Sequence, residues 1–314
     1  MKILLVADHD EGMLSPLCAR LLGAVRAFDA HVDVLVAGFG CERVAAAAAG
    51  LAGVARVRVL DDARYADGLP ENLAMMVAQI AAAYSHVLFS SSCVARRLAP
   101  RVAAMLDVAP MTGVVALLGA DRFVRASHAG RVLETVHCAE PVKVLGLQAA
   151  SFTPMPAPRQ APAPIEPLAS GPEMGVSRRL AQQRVAQAGL PALASARVVV
   201  AGGLGLGSAE AFGRLLLPLA ARLGAAAGAT QAAIAAGFAP AAWLIGQAGH
   251  VVAPELYVAV GISGAPEHLA GVRGARRIVA INADASAPLM ALADLACVGE
   301  AEQTLPRLLE VLGA

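Results

Sequence analysis

The first half of the chain alternates two kinds of apolar pattern. The run at 2–7, apolar after Lys2, suits a strand covered on both faces, which reads as a continuous hydrophobic stretch; 31–37, 54–60 and 86–90 also read as strands, with His31, Asp33, Arg56, Arg58, His86 and Ser90 among their apolar residues. Between them, 15–28, 42–51, 69–84 and 95–106 carry helical spacing, with Leu17, Leu21, Leu22 and Val25 on one face of the first and Pro70 suited to the first turn of the third. Strands alternating with helices of this size predict βαβ units and a mostly parallel sheet. The rhythm then changes. Segments 112–118, 122–126, 131–137 and 142–148 read as successive strands, with Gly119 and the Ala129–Gly130 pair at the turns. They predict an antiparallel extension of the first sheet.

A proline-rich stretch follows at 151–172, with Pro154, Pro156, Pro158, Pro162, Pro164, Pro167 and Pro172. Such a stretch lacks ladder donors and favours extended chain, so it predicts an interdomain linker. Residues 175–189 read as a short connecting helix. The alternation then restarts: strand 197–201, helix 210–223, strand 256–262, short helix 266–271, strands 277–281 and 295–298, and a closing helix 302–312. The expected fold class is therefore α/β, with two doubly wound domains and mostly parallel sheets. The expected division is 1–150, a linker and connecting helix at 151–194, and a smaller C-terminal domain at 195–314. In such sheets ligands bind beyond the carboxyl ends of the strands.

Composition narrows the function classes. With 314 residues, 57% hydrophobic and 16% charged, the chain is long enough for two cores and is not disordered. A net charge of +1 leaves no electrostatic footprint for nucleic acid. Cys18, Cys41, Cys93, Cys138 and Cys297 are odd in number and include no C-x-x-C pair, which speaks for free thiols in a reducing compartment and against a disulfide framework or thiolate metal site. The N-terminal apolar run is too short for a signal peptide. Between Arg222 and Glu255 there is no Asp, Glu, Lys or Arg, yet Gln231, Pro240, Gln247, His250 and alanine filler suit a buried, ligand-facing region better than a membrane span. A cytoplasmic protein without a transmembrane segment is expected.

Three segments could carry chemistry. Residues 198–208, VVVAGGLGLGS, place Gly202, Gly203, Gly205 and Gly207 where a strand turns into a helix; this is either a phosphate cradle or simply a tight turn. No acidic residue lies between Glu210 and Glu255, where a nicotinamide dinucleotide site needs one for the ribose, so a dehydrogenase is not expected. In the second segment a buried strand ends at Ser263–Gly264, and Pro266 opens a helix with His268 in its first turn. That histidine either meets a ligand carbonyl, and as a cation stabilises negative charge, or is satisfied by nearby backbone. In the third, Asn282 ends a strand and serves either a turn or a nucleotide ribose or phosphate. No nucleophile elbow, H-E-x-x-H or carboxylate pair occurs. His128, His137 and Cys138 read as structural, the last two facing opposite sides of a strand.

Residues 256–271, LYVAVGISGAPEHLAG, followed by 278–282, IVAIN, resemble the signature of electron-transfer flavoprotein alpha subunits. The resemblance covers nearly the whole chain: 101–110, RVAAMLDVAP, and the proline-rich stretch fit the family's first domain and its connection, and 201–206, AGGLGL, 236–238, AGF, and 252–257, VAPELY, fit its second. It implies a C-terminal FAD-binding domain, and a nucleotide-binding-like N-terminal domain that packs with a beta subunit. It also implies an electron carrier rather than an enzyme, taking electrons from a donor dehydrogenase and passing them to a membrane quinone oxidoreductase. The matching site positions are Leu204, Gly205, Thr230, Gln231, Ile245, Gly246, Gln247, Ala248, Ser263, Gly264, Ala265, Pro266, Glu267, His268, Asn282 and Glu300. Four depart from the family pattern. Leu204 and Gln231 each stand where an Arg is usual, Ala248 replaces a hydroxyl residue that reaches flavin N5, and Glu267 replaces a Gln. Two lost cations and one added anion imply a flavin of altered potential, or alternatively a flavin-poor or flavin-free paralogue acting as a nucleotide-binding or scaffold subunit.

Overall fold

A computed structural model describes residues 1–10, 12–128, 130, 132–155, 161–181, 189–193, 196–272 and 274–313. The chain divides into two compact units, Met1–Gln182 and Gln183–Ala314. In the first, the elements run β1 (Lys2–Val6), a ribbon of β2 (His9–Asp10) and β3 (Met13–Leu14), α1 (Leu17–Val25), β4 (His31–Gly38), α2 (Glu42–Ala49), β5 (Val54–Asp61), α3 (Pro70–Ala81), β6 (His86–Phe89), α4 (Cys93–Met105), β7 (Pro110–Leu117), β8 (Arg122–Ser127), β9 (Val132–His137), β10 (Lys143–Leu147) and β11 (Ile165–Pro167). Local chemistry sets the ends. The Ser92 hydroxyl accepts the Ala95 N–H at 3.0 Å, so α4 starts two residues before the expected 95. Pro70 opens α3, where its missing N–H costs nothing.

These strands form one nine-stranded sheet in the order β11-β5-β4-β1-β6-β10-β7-β8-β9. Its faces pack separately: Ile3, Leu5, Val34 and Val36 against α1 and α2, and Leu4, Leu35, Val87 and Phe89 against α3 and α4. This alternation is what a strand buried on both faces requires. The antiparallel extension is correct only for β7, β8 and β9. β10 inserts between β6 and β7, parallel to both. Its run KVLGL buries Val144, Leu145 and Leu147 almost completely, which suits a central parallel strand, whereas β9 is mostly exposed and suits an edge.

The proline-rich stretch also departs from expectation. It is not only a linker, because β11 pairs in parallel with β5 and Val57 N–H donates to Pro164 O at 2.9 Å. A short edge strand tolerates proline. A charge network reinforces this edge. Asp33, fully buried in β4, accepts from His31 Nε2 at 2.9 Å, Arg56 Nε at 2.9 Å and Tyr84 OH at 2.5 Å. Arg56 then reaches Glu166 of β11 at 3.3 Å. Of the expected helix at 175–189, residues 175–181 carry no helix, and 182–188 lie outside the described residues.

The second unit contains β12 (Val198–Gly202), α5 (Ala209–Ala211), a π-helical turn (Phe212–Leu216), α6 (Leu217–Arg222), β13 (Ala226–Ala229), α7 (Gln231–Ala235), β14 (Leu256–Val260), α8 (Pro266–Leu269), β15 (Ile278–Asn282), α9 (Pro288–Leu292), β16 (Leu295–Val298) and α10 (Ala301–Val311). The single helix expected at 210–223 is thus interrupted. Pro218 has no N–H to return to the carbonyl four residues back, and the wide turn lies just before it. The sheet is all parallel, in the order β13-β12-β14-β15-β16, with separate cores on its two faces. From β12 the chain steps to β13 on one side and then to β14 on the other, so the strand order reverses between β12 and β14. Their ends are level, Gly202 lying opposite both Val260 and Ala229.

Replacing Asp33 by Ala leaves the Tyr84 hydroxyl without its acceptor, while Arg56, partly exposed, keeps Glu166. Losing these bonds should lower stability by about 2 kcal/mol, read as a lower denaturant midpoint at unchanged slope.

Candidate functional site

The point of strand reversal is closed by backbone alone. Gly203 N–H donates to Val260 O at 2.9 Å and Gly205 N–H to Gly261 O at 3.0 Å. A Cβ on Gly203 would lie 2.1 Å from Gly261 O, and one on Gly205 would lie 2.7 Å from Gly261 Cα. No side chain can be accommodated at that crossing, so the glycines are a steric requirement and not merely turn formers. Leu204, at the crest of the turn, is 52% exposed.

The next turn leaves Gly261 and runs through Ser263, Gly264 and Ala265 into α8. Gly264 has φ +92° and packs against Leu289, where a Cβ would lie 2.7 Å from the Leu289 nitrogen. Among the described residues, the N–H groups of Ser263, Gly264 and Ala265 make no hydrogen bond. Ser263, Ala265, Pro266 and Glu267 are exposed. Asn282 braces this turn from β15: its Nδ2 donates to Ile262 O at 3.0 Å and its Oδ1 accepts Asp284 N–H at 3.1 Å. The side chain is thus committed to turn-building, the simpler of the two expected roles. Beyond it, Gly299 N–H donates to Asn282 O at 3.0 Å, and exposed Glu300 precedes α10.

On the other side, Thr230 ends β13 and caps α7, its hydroxyl accepting Ala233 N–H at 3.2 Å. Gln231, in the first turn, is exposed. In this unit β13 is the strand that sequence patterning missed, because AAGA carries no apolar signature. Its signal was steric: a Cβ on Gly228 would lie 2.2 Å from the Ile245 side chain. Buried Ile245 therefore plugs the sheet from beneath. Gln247 and Ala248 face outward, and Gln247 N–H donates to Glu267 O at 2.8 Å.

At His268 the structure shows the second of the two expected arrangements, a ring satisfied within the chain. Its side chain is buried and both ring nitrogens are engaged within the chain, Nε2 with Tyr257 OH at 2.8 Å and Nδ1 with Ile245 O at 3.0 Å. A carbonyl only accepts, so Nδ1 carries the proton and Nε2 accepts from the tyrosine. Burial pushes the imidazole down to about 4, against a smaller upward pull from the Ile245 carbonyl. At that value the His268 ring is neutral at pH 7. The sequence sign that was overlooked is Tyr257, a fully buried hydroxyl in an otherwise apolar strand, which demands a partner.

The remaining site positions thus collect along the C-terminal ends of the five strands, with Leu204, Gly205, Gln231, Gln247, Ala248 and Ser263 exposed above them. This edge fits a dinucleotide through glycine-permitted backbone approach, unbonded N–H donors and neutral hydroxyl and amide groups. Among the described residues no cluster of His, Cys, Asp or Glu could hold a metal ion, and no helix is long and apolar enough to cross a membrane.

Residues 3–173 match the family model described as the electron transfer flavoprotein domain, and residues 192–273 match the electron transfer flavoprotein FAD-binding domain. The first match runs through β11, and the second contains the glycine crossing, the Tyr257–His268 pair and the turn at Ser263. The electron transfer flavoprotein subunit alpha of Paracoccus denitrificans is 42% identical over 309 residues, covering 98% of this chain and 99% of the relative. That of Pseudomonas aeruginosa is 39% identical over 308 residues, with 98% and 99% covered. The mitochondrial alpha subunit of Arabidopsis thaliana is 38% identical over 324 residues, with 98% and 89% covered. Agreement that spans both units and includes the strand-reversal turns places this chain in the electron transfer flavoprotein alpha-subunit family.

Proposed function

We propose that this chain binds FAD along the C-terminal edge of its second sheet and, paired with a beta subunit, carries electrons from donor dehydrogenases to an acceptor such as a membrane quinone oxidoreductase. Its five unpaired cysteines suit a cytoplasmic setting. The observation that carries the reading is the glycine crossing at the strand reversal beside the unbonded N–H groups of Ser263, Gly264 and Ala265. Backbone donors at such a turn cradle an anionic diphosphate without any cationic side chain. In this reading Leu204 and Gly205, Thr230 and Gln231, and the turn 263–267 with Asn282 behind it line the cofactor's length. Gly246, Gln247 and Ala248 cover the flavin ring from the opposite loop, and Glu300 stands at the far end of the sheet. FAD, when bound, supplies the one- and two-electron chemistry. The chain binds it, orients the ring and limits water.

The electrostatics of these residues bear on potential. Leu204 and Gln231 carry no charge, His268 is neutral, and Glu267 and Glu300 are acidic. Negative charge gained on reduction therefore meets no cation from the named residues, which favours the oxidised cofactor and lowers the potential. The same feature supports the second reading, a flavin-poor or flavin-free subunit with a nucleotide-binding or scaffold role.

Co-expression with the beta subunit and a visible spectrum of the purified pair decides between them: flavin bands at about one cofactor per heterodimer are expected, and a colourless complex that takes up no added FAD would overturn the carrier reading. Gly205→Ala should abolish most flavin retention, because its Cβ must displace Gly261. Leu204→Arg and Gln231→Arg should each raise the flavin's midpoint potential by about 30 mV, which for a two-electron couple corresponds to a tenfold change in equilibrium; a fall in a dye-coupled titration would contradict the electrostatic account. The depressed value of His268 also sets an acid limit. The unfolded chain binds this proton near 6.5 and the folded chain only at about 4. Stability of the second unit should be flat above pH 6.5 and decline by about 3 kcal/mol between 6.5 and 4, with His268→Asn removing that decline.

A further inference from the structure

Tyr257 has no part in the cofactor contacts above, yet it is the only polar side chain of β14, fully buried, and its hydroxyl points at the one imidazole beneath the site. We propose that Tyr257 is a positioning residue for the loop 245–250: its hydroxyl anchors the His268 ring through Nε2, and the ring's Nδ1–H holds the Ile245 carbonyl. The consequence for FAD rests on the reading given above, but the loop coupling itself does not.

The geometry allows one arrangement of protons. At 3.0 Å from the Ile245 carbonyl, an unprotonated Nδ1 would oppose lone pair to lone pair, so the proton must sit there. Nε2 then needs a donor, and among the described residues Tyr257 is its hydrogen-bond partner. Without the hydroxyl, Nε2 is left buried and unmet; the Ile245 carbonyl still keeps the proton on Nδ1, but the ring loses the bond that fixes its angle and its N–H donates to the carbonyl less well. The chain of bonds therefore runs from the middle of the sheet, through the ring, to the first residue of the loop.

The loop is built to feel such a change. Ile245 N–H is tied to Ala229 O at 3.0 Å, Gly246 N–H to His250 O at 3.1 Å, and His250 N–H to Leu244 O at 2.8 Å. Gly246 has φ +149° and lies so close to α8 that a Cβ would stand 2.8 Å from Glu267 O. A Cβ on Gly271 would lie 2.6 Å from Gly246 Cα. With backbone against backbone on that side, the loop has little room to re-seat, and the exposed residues Gln247 and Ala248 follow wherever Ile245 is held. His268 acts from below, through the carbonyl.

The experiment uses the purified heterodimer stripped of flavin, so that loop and cofactor are read separately. Tyr257→Phe should speed amide exchange at 246–250 about tenfold, the size of one lost hydrogen bond, while amides of β12 and β15 keep their rates. The nitrogen shifts of labelled His268 should keep the Nδ1–H form, because Nε2 then has no acceptor for a proton. His268→Asn, whose amide N–H2 falls near Nδ1, should keep slow exchange in the loop, and His268→Gln, whose group falls near Nε2, should behave like Tyr257→Phe. Unchanged loop exchange in Tyr257→Phe would overturn the proposal. If that variant fails to fold, Asn and Gln variants with equal loop exchange would do the same. On adding FAD back, Tyr257→Phe should bind about tenfold more weakly. A loosened loop with unchanged FAD affinity would leave the coupling intact and remove the loop from the cofactor site.

Discussion

Everything at the second unit's upper edge depends on two pieces of main chain lying against each other. The turn after β12 and the turn after β14 touch through Gly203, Gly205 and Gly261, at separations that no Cβ could share. Parallel strands fan outward with the twist of the sheet, and at the reversal point the crossover helices leave in opposite directions. A crevice opens there in any doubly wound sheet. Here glycine closes its floor and leaves the next turn's N–H groups unbonded, and the flanking loops at 230 and 246 take their places from strands whose ends are level. Remove the close approach and the site loses its floor before any ligand contact is considered.

Much of this was legible in the sequence, for a physical reason. Strands buried on both faces are mostly apolar, so β1, β6 and β12 announce themselves, as do β4, β5 and β14 around a few polar positions, and glycines at a strand-to-helix turn carry a backbone demand that survives without context. The rest depended on partners distant in sequence. KVLGL reads equally well at the edge or in the middle of a sheet; only its burial on both faces puts β10 between β6 and β7. AAGA has too little side chain to produce any pattern, and becomes a strand because Ile245 fills the space over Gly228. Prolines suggest an open linker, and Ile165, Glu166 and Pro167 still complete a ladder along β5. His268 looked equally like a ligand donor and a satisfied core residue, and Tyr257, eleven positions earlier, decides between them.

The candidate site's named residues are neutral or acidic where a cation might have been expected. Backbone dipoles and uncharged side chains can hold an anion in place as well as a guanidinium can, because they are fixed by the fold and need no reorganisation. What they do less well is answer an added charge, since a dipole's attraction falls off faster than a full charge's. A cradle of this kind separates holding a cofactor from tuning it: the first depends on strand ends and glycines, the second on whatever full charges stand near.

The strand β11 has a consequence for the order in which the first unit can be completed. Along β5, the row of main-chain donors and acceptors facing away from β4 is covered by Ile165–Pro167, and Arg56 waits for Glu166, which lies 110 residues further along the chain. As the polypeptide emerges from the ribosome, β5 and its neighbours are already available to pair while that flank has no cover of its own. An uncovered flank recruits strands from other molecules. The proline segment thus acts as a late-made hem: once it is laid down, the sheet ends in residues that offer few further donors, and growth from that side stops.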